Sequence, residues 1–154
     1  WNAKQYPIEN IVKKQIHKGN FKANFSKNKI KYTKDILASI HNSAILIVDA
    51  RSKGRFLGTE PEPRKNIKSG SIPNSVNLPY AKVLNEHLFK SKSDIKKLFE
   101  HYTNHQKEIV FSCGTGITAS ILALAAAIIN INNFAVYDGS WTEWASKSNL
   151  PIEI

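Results

Sequence analysis

The sequence predicts an α/β domain with a mainly parallel sheet, and three observations support this fold class. Short aliphatic runs alternate along the chain with segments whose apolar residues recur at helical spacing. The aliphatic runs are continuous rather than alternating, which is typical of parallel strands covered on both faces. With 154 residues, 42% of them hydrophobic and 22% charged, the chain can form one folded core.

Each element follows from a local pattern. A helix is expected where a polar capping residue precedes apolar residues three or four apart, and a buried strand where aliphatic or aromatic residues run together. Clusters of glycine, proline and charge mark a long loop of the kind that carries functional residues. In order, we predict an irregular or weakly stranded segment at 1–27, a helix from Thr33, a strand at 44–48 that ends at Asp49, a long loop at 54–75, a strand at 75–78, a helix capped by Ser93 that runs to Tyr102, a strand at 109–111, a helix at 118–130 buried on all sides, a strand at 134–137 and a helix at 140–144.

Cys113 occupies the most informative point of this pattern. It stands at the end of a predicted buried strand and is followed by Gly114, Thr115 and Gly116 and then by a predicted helix. Ligands of open parallel sheets bind at the carboxyl ends of the strands. The N–H groups and the positive dipole end of a helix N-terminus stabilise a thiolate. The sequence therefore predicts a nucleophilic or sulfur-carrying cysteine, and the alternative is a buried, inert one.

Two other uses of this loop are weighed against that prediction. The segment 114–119 fits the dinucleotide-binding pattern G-x-G-x-x-A, with Asp138 after the next strand, but the 16 residues beyond Asp138 are too few for the rest of such a domain. A cysteine phosphatase closes its phosphate loop with an arginine. Here the sixth residue after Cys113 is Ala119, and no arginine follows Arg64. Neither alternative is favoured.

Nucleic acid, metals and membranes are not expected partners. Net charge is +10, and nine lysines and one glutamate lie within residues 1–34, but this segment lacks the arginines favoured for bidentate phosphate and base contacts. His101 and His105 have a metal-ligand spacing without a third ligand. The longest apolar run, 117–129, is too short to cross a bilayer. We expect no metal and no cofactor.

The first residues also bear on the origin of the chain. The sequence contains no methionine, so Trp1 is not expected to be a translation start, and we expect the chain to be a processed form or a piece of a longer protein. No basic-then-apolar leader opens it. We predict a cytoplasmic location, or a mitochondrial one if the source is eukaryotic.

Several motifs together resemble the rhodanese family. They are Asp49-Ala50-Arg51 at a strand end, the segment GSIPNSVNLP at 70–79 and a six-residue loop opened by Cys113. More narrowly, GRFLGTEPEPR at 54–64, CGTGIT at 113–118 and YDGSWTEWA at 137–145 resemble the 3-mercaptopyruvate sulfurtransferases. The resemblance implies a five-stranded, mainly parallel sheet flanked by helices on both faces.

The resemblance also implies a domain organisation. It covers residues 15–154 and matches the second, catalytic domain of a two-domain protein. Residues 1–14 are then expected to be a remnant of the interdomain linker, with the inactive N-terminal rhodanese domain absent. That N-terminal domain is an expected partner.

The activity implied by the resemblance is sulfur transfer. Cys113 would take sulfur from a small-molecule donor as a persulfide, release pyruvate and pass the sulfur to thioredoxin, another thiol or cyanide. Arg55 and Arg64 match the two arginines that hold the carboxylate and carbonyl of the donor, whose planar oxygens suit guanidinium groups. The remaining predicted substrate-binding residues belong to the cysteine loop: Gly114, Thr115, Gly116, Ile117 and Thr118.

The residues after the cysteine favour one donor. Thiosulfate-type rhodaneses carry basic residues there, whereas Gly114 and Thr115 are neutral, which favours 3-mercaptopyruvate. Thr115 stands where the family commonly has serine. A thiosulfate sulfurtransferase and a non-catalytic rhodanese module that binds a partner are the alternatives. An intact Cys113 argues against the second one.

Four further residues are expected to have structural roles. Asp49 and Arg51 would act as anchors at the end of their strand. Trp141 and Trp144 are expected to pack beneath the cysteine loop rather than to form a binding platform.

Overall fold

The computed structural model describes residues 1–11, 18–103 and 108–154. The predicted domain boundary at residue 15 and His105 of the histidine pair lie outside these residues. The elements found within them are β1 (Ile30–Lys31), α1 (Thr33–Ser39), β2 (Ile45–Asp49), α2 (Lys53–Phe56), β3 (Val76–Asn77), β4 (Leu84–Asn85), β5 (Leu88–Phe89), α3 (Lys92–Thr103), β6 (Glu108–Ser112), α4 (Ile117–Ile128), β7 (Phe134–Tyr137) and α5 (Ser140–Ser146). Short 3-10 turns lie at Asn2–Lys4, Lys27–Lys29 and Tyr80–Val83.

Five of these strands form a parallel sheet in the order β1-β7-β6-β2-β3. The central pair runs in register from Ile45 opposite Glu108 to Asp49 opposite Ser112. β4 and β5 form a separate antiparallel hairpin. Because the five strands are parallel, their carboxyl ends share one edge of the sheet, and the residues that follow Asp49 and Ser112 lie side by side there.

Helices cover both faces of the sheet. On one face α3 and α4 pack against the central strands, with Phe99 and Leu122 among the buried residues around Phe111. On the other face α1 and α5 do so, with Trp141 and Trp144 buried around Val110. Strand residues that are neighbours in sequence therefore belong to opposite cores, which explains why the strands read as continuous apolar runs. The predicted α/β class, with a parallel five-stranded sheet between helices, is confirmed.

Several short elements were not predicted. β1 has only two residues and pairs with β7, more than a hundred residues later, so nothing in its own sequence marks it as a strand. α2 is one turn inside the segment expected to be a loop, and it is capped by Ser52, whose Oγ accepts the N–H of Arg55. The β4–β5 hairpin joins strands of two residues each. Elements this short carry no periodic signal.

Two details of the helix predictions are wrong. Helix α4 is not buried on all sides, because Ile117 is 73% and Leu124 52% exposed. Only one side of α4 faces the sheet, and small residues there, including Ala119 and Ala126, are fully buried. Helix α3 is capped by Ser91 instead of Ser93: the Ser91 Oγ accepts the N–H of Asp94 at 3.2 Å and donates to its carboxylate at 2.6 Å.

Among the described residues, no helix is both long enough and apolar enough to span a bilayer. The longest, α3 and α4, have 12 residues each, whereas a membrane span needs about 20.

Candidate active site

The cysteine loop connects the central strand β6 to helix α4. Cys113 follows β6 directly and is 1% exposed, and the helix begins four residues later at Ile117. Gly116, which precedes the helix, has a φ of 83°, and a Cβ there would lie 3.0 Å from the carbonyl oxygen of Asp138. Glycine is therefore required at this turn.

The backbone of the cysteine loop has N–H donors just before the start of α4. Among the residues that the structure describes, no acceptor is found for the N–H groups of Gly114, Thr115 and Gly116. Unpaired N–H groups at a helix N-terminus form a site for a negatively charged group. A thiolate or a persulfide on Cys113 is such a group.

Helix α5 holds the other side of the loop. The N–H of Cys113 donates to the Oγ of Ser140 at 3.1 Å, and the N–H groups of Trp141 and Thr142 donate to the carbonyl oxygens of Cys113 and Gly114 at 2.9 Å each. Ser140 is fully buried, and its hydroxyl also donates to the carbonyl of Tyr137 at 2.8 Å. These bonds fix the peptide groups on both sides of the cysteine.

A chain of ion pairs leads from the end of β2 to the cysteine loop. Arg51 is 1% exposed, and its guanidinium bonds both carboxylate oxygens of Asp49, the carbonyl of Gly70 and the Oε1 of Glu62. The same Glu62 carboxylate accepts from the Nε of Arg55 at 3.2 Å and from its Nη2 at 2.5 Å. That Arg55 Nη2 lies 3.1 Å from the point that a Cβ on Gly114 would occupy. Arg55 is therefore held directly above the loop.

The predicted structural residues lie beneath this chain. The guanidinium of Arg51 stacks on the ring of Trp141, 4.5 Å from its centroid. Trp141 and Trp144 are fully buried, and their ring N–H groups donate to the carbonyls of Lys68 and Pro151. Burial and bonding agree with the anchoring and packing roles predicted for these residues.

Cys113 opens into a cleft of about 410 Å³. Its lining residues are Arg55, Glu62, Pro63, Arg64, Cys113, Gly114, Thr115, Ile117 and Thr118. Arg64 is exposed on the far side, and its Nη1 donates to the hydroxyl of Thr142 at 3.2 Å. A larger cavity of about 580 Å³ lies between the β4–β5 hairpin and α3 and includes none of the predicted site residues.

The cleft brings together all but one of the predicted site residues. Gly116 is the exception, because it forms the turn into α4 and does not line the cleft. Sequence reasoning missed three residues that contact the others: Glu62, Ser140 and Thr142. For Glu62 the sequence did offer a signal, because it lies between two prolines and between the two predicted arginines. The other two had none, since their partners lie 27 and 78 residues away.

The chain is similar to known proteins of one family. Residues 32–147 match the family described as "Rhodanese-like domain". The chain is 41% identical to mouse 3-mercaptopyruvate sulfurtransferase over 150 residues, which are 96% of this chain and 50% of that protein. It is 37% identical to bovine thiosulfate sulfurtransferase over 131 residues, which are 83% of this chain and 44% of that protein.

A solved structure is also similar. The crystal structure of SseA from Escherichia coli, described as a 3-mercaptopyruvate sulfotransferase with the rhodanese fold, matches with a TM-score of 0.75 and 29% identity. The match covers 92% of this chain and 52% of that one. The chain thus spans about half the length of the curated relatives and of this structure.

Proposed function

Because this chain belongs to the rhodanese-like family, we propose that it transfers sulfur from 3-mercaptopyruvate to a thiol or to cyanide through a persulfide on Cys113. The observation that carries the proposal is the position of Cys113, which lies at the start of α4 in one cleft with Arg55 and Arg64. The name of the mouse relative, which is 41% identical, supports it further.

The proposed reaction begins with attack of the Cys113 thiolate on the sulfur of 3-mercaptopyruvate. An S–S bond forms, the C–S bond of the donor breaks, and its electron pair moves into the carbonyl to give the enolate of pyruvate. A proton taken up at carbon then gives pyruvate, and Cys113 carries the persulfide. An acceptor thiolate or cyanide attacks the outer sulfur and releases the Cys113 thiolate, so that atoms and charge balance over the cycle.

The two arginines have distinct places in this scheme. Arg55 lies above Gly114, close to the cysteine, and is proposed to bind the carbonyl oxygen that becomes the enolate. Arg64 lies further out beside Thr142 and is proposed to bind the donor carboxylate. The unpaired N–H groups of the loop would stabilise the charge on sulfur. Ile117 and Thr118 complete the wall of the cleft at the start of α4.

Thiosulfate is the alternative donor. The bovine relative that bears the name thiosulfate sulfurtransferase, 37% identical, favours it. Against it, the two residues after Cys113 are Gly114 and Thr115, which bring no positive charge for a dianion. We therefore place 3-mercaptopyruvate first.

The proposed partners follow from the same cleft. Ile117 is 73% exposed at the rim of the cleft, and the chain matches about half the length of its relatives. A second rhodanese domain is therefore proposed to cover the cleft. The acceptor is proposed to be thioredoxin or another small thiol. The cytoplasmic or mitochondrial location stays a prediction.

Mass spectrometry tests the persulfide directly. After incubation with 3-mercaptopyruvate, the protein is expected to gain one sulfur atom, and pyruvate is expected to appear in equal amount. The Cys113→Ser variant, which keeps the size of the side chain, is expected to gain none. Sulfur addition that survives this substitution would refute the assignment of Cys113.

Steady-state kinetics tests the choice of donor. With a neutral loop, kcat/KM for 3-mercaptopyruvate is expected to exceed that for thiosulfate by more than about tenfold, or roughly 1.4 kcal/mol of transition-state binding. Both donors are measured with cyanide as the common acceptor. Equal values, or a preference for thiosulfate, would support the alternative donor.

A further inference from the structure

Glu62 contacts the donor-binding machinery without being one of the residues assigned to it. Its side chain is only 3% exposed, yet it lies on the wall of the cleft. It accepts two bonds from Arg55 and one from Arg51. A buried carboxylate in a cleft proposed to bind an anionic substrate repels that substrate, so its presence needs a physical reason.

The first reason is position. Arg51 is fixed by Asp49, by the carbonyl of Gly70 and by the ring of Trp141, so it is a rigid support. Through its Oε1, Glu62 is held by Arg51 at 2.8 Å, and through both oxygens it holds Arg55. A two-point bond to the Nε and Nη2 of Arg55 fixes the plane of that guanidinium. The Nη1 group of Arg55 makes no bond to any other described residue and stays available to a ligand.

The second reason is charge. Asp49 and Arg51 neutralise each other, and Glu62 neutralises Arg55, so the arginine and carboxylate side chains beside the reacting Cys113 leave one net positive charge, that of Arg64. Without Glu62 the wall would carry two. 3-Mercaptopyruvate has one carboxylate and a neutral carbonyl, whereas thiosulfate is a dianion. One net positive charge matches the first donor and undercompensates the second.

From the position and charge of this side chain, we propose that Glu62 is a positioning and specificity-determining residue, which orients Arg55 and sets the charge of the cleft so that a monoanionic α-keto acid is preferred to a dianion. This inference rests on the proposed function for the identity of the donors. It makes the negative charge of Glu62 a second cause of donor choice, in addition to the neutral residues Gly114 and Thr115.

The chain offers a matched control for the charge. Glu60 lies two residues earlier on the same loop, is exposed, and bonds the hydroxyl of Ser52 instead of an arginine. Glu60→Gln therefore removes the same charge from the same loop without removing a bond to the guanidinium of Arg55. Glu62→Gln removes the charge at the cleft wall and keeps the size of the side chain, and Glu62→Asp keeps the charge but shortens its reach.

Kinetics with two donors is the first measurement. Glu62→Gln is expected to lower the ratio of kcat/KM for 3-mercaptopyruvate to that for thiosulfate by about tenfold, while Glu60→Gln leaves the ratio unchanged. Glu62→Asp is expected to lower kcat/KM for both donors and to keep the ratio, because the charge remains and the orientation of Arg55 is lost. An equal loss for both donors in Glu62→Gln would overturn the proposal, since a purely structural role predicts that result.

Binding to a variant that cannot turn over separates this proposal from the proposed function. In a Cys113→Ser background, dissociation constants for pyruvate and thiosulfate are measured by NMR titration, which also reports on folding. Glu62→Gln is expected to shift their ratio toward thiosulfate by about tenfold. If this shift occurs while the parent chain transfers no sulfur, the proposed function fails and the role of Glu62 stands. If transfer proceeds and the binding ratio does not move, the role of Glu62 is refuted.

Discussion

Ser140 holds a backbone conformation that side chains rarely adopt. Its φ is 50°, and it is fully buried, with its hydroxyl between the N–H of Cys113 and the carbonyl of Tyr137. A non-glycine residue in the left-handed region costs on the order of 1 kcal/mol. Glycine would remove that cost but also the bond to Cys113. The strain and the bond thus occur at the same residue.

Two substitutions separate these effects. Ser140→Ala and Ser140→Gly both remove the acceptor for the Cys113 N–H, and both are expected to lower kcat/KM for sulfur transfer by about tenfold, since small displacements of reacting groups are costly. The glycine variant is expected to be about 1 kcal/mol more stable than the alanine variant. Enzyme kinetics and thermal unfolding measure the two quantities.

A serine on the same helix supplies the control. Ser146 bonds the carbonyl of Glu143 and lies away from the cysteine loop. Ser146→Ala is expected to leave transfer unchanged. A Ser140→Ala variant as active as the parent chain would show that the bond to Cys113 has no role in positioning it.

Helix α5 is tied to helix α1 by a polar network. The Tyr137 hydroxyl bonds Thr33 Oγ1 at 3.0 Å and donates to Glu143 at 3.2 Å, while Lys147 donates to Glu143 at 2.8 Å and to Thr33 at 3.2 Å. Burial raises the pKa of the Tyr137 hydroxyl well above its usual value. This tyrosine therefore stays protonated and keeps its role as a donor at physiological pH.

The stability of the fold is expected to depend on pH through Glu143 of this network. The hydrogen bond from Lys147, opposed in part by desolvation, lowers the pKa of the Glu143 carboxyl below its ordinary 4.5. A carboxyl with a lowered pKa stabilises the fold above its unfolded-state pKa and loses that contribution as the pH falls through its folded-state pKa. Glu143→Gln is therefore expected to be destabilised at pH 7, by less than about 1 kcal/mol because the pair is partly exposed, and to approach the parent chain near pH 3.

Thermal unfolding of both chains at the two pH values checks this. Glu100→Gln, at an exposed position on α3, is the control and is expected to show no such convergence. A deficit for Glu143→Gln that persists unchanged at pH 3 would mean that packing, and not the charge of Glu143, is the cause.

Elements were predictable where their own residues carry the signal. The strand ending at Asp49 and the helix after Cys113 are marked by local apolar runs, and the structure contains both. β1 was not predictable, because its two residues become a strand only through pairing with β7. In the site, Cys113 and the arginines were accessible through motifs. Ser140 was not, since its role depends on a bond across 27 residues.

The cleft is open on the side of Ile117 and Arg64. Ile117 is 73% exposed and Arg64 is also exposed. Water that enters an active site weakens its electrostatic interactions, and Arg64 lies on a long loop that a covering domain would help to position. The proposed second domain would thus raise the rate of sulfur transfer as well as pack against this one.

A comparison of chains of different length tests this. We expect this chain alone to have a kcat/KM for 3-mercaptopyruvate on the order of 10²-fold below that of a longer protein that includes the second domain. Cys113 of the shorter chain is expected to remain reactive toward small thiol reagents. Equal kcat/KM at equal concentration would show that the second domain is dispensable.

The positions of the cleft residues along the chain also set when the cleft can form. Ile30 of the edge strand β1 pairs with Val136, more than a hundred residues later in the sequence. Pairings between residues so far apart in sequence form slowly. The cleft is lined by residues 55, 62–64, 113–115, 117 and 118, and α5 holds the cysteine loop. During synthesis the cysteine loop leaves the ribosome before α5 does. The nascent chain therefore cannot complete its cleft until α5 has been translated, because the bonds from α5 that fix the cysteine loop are missing before then.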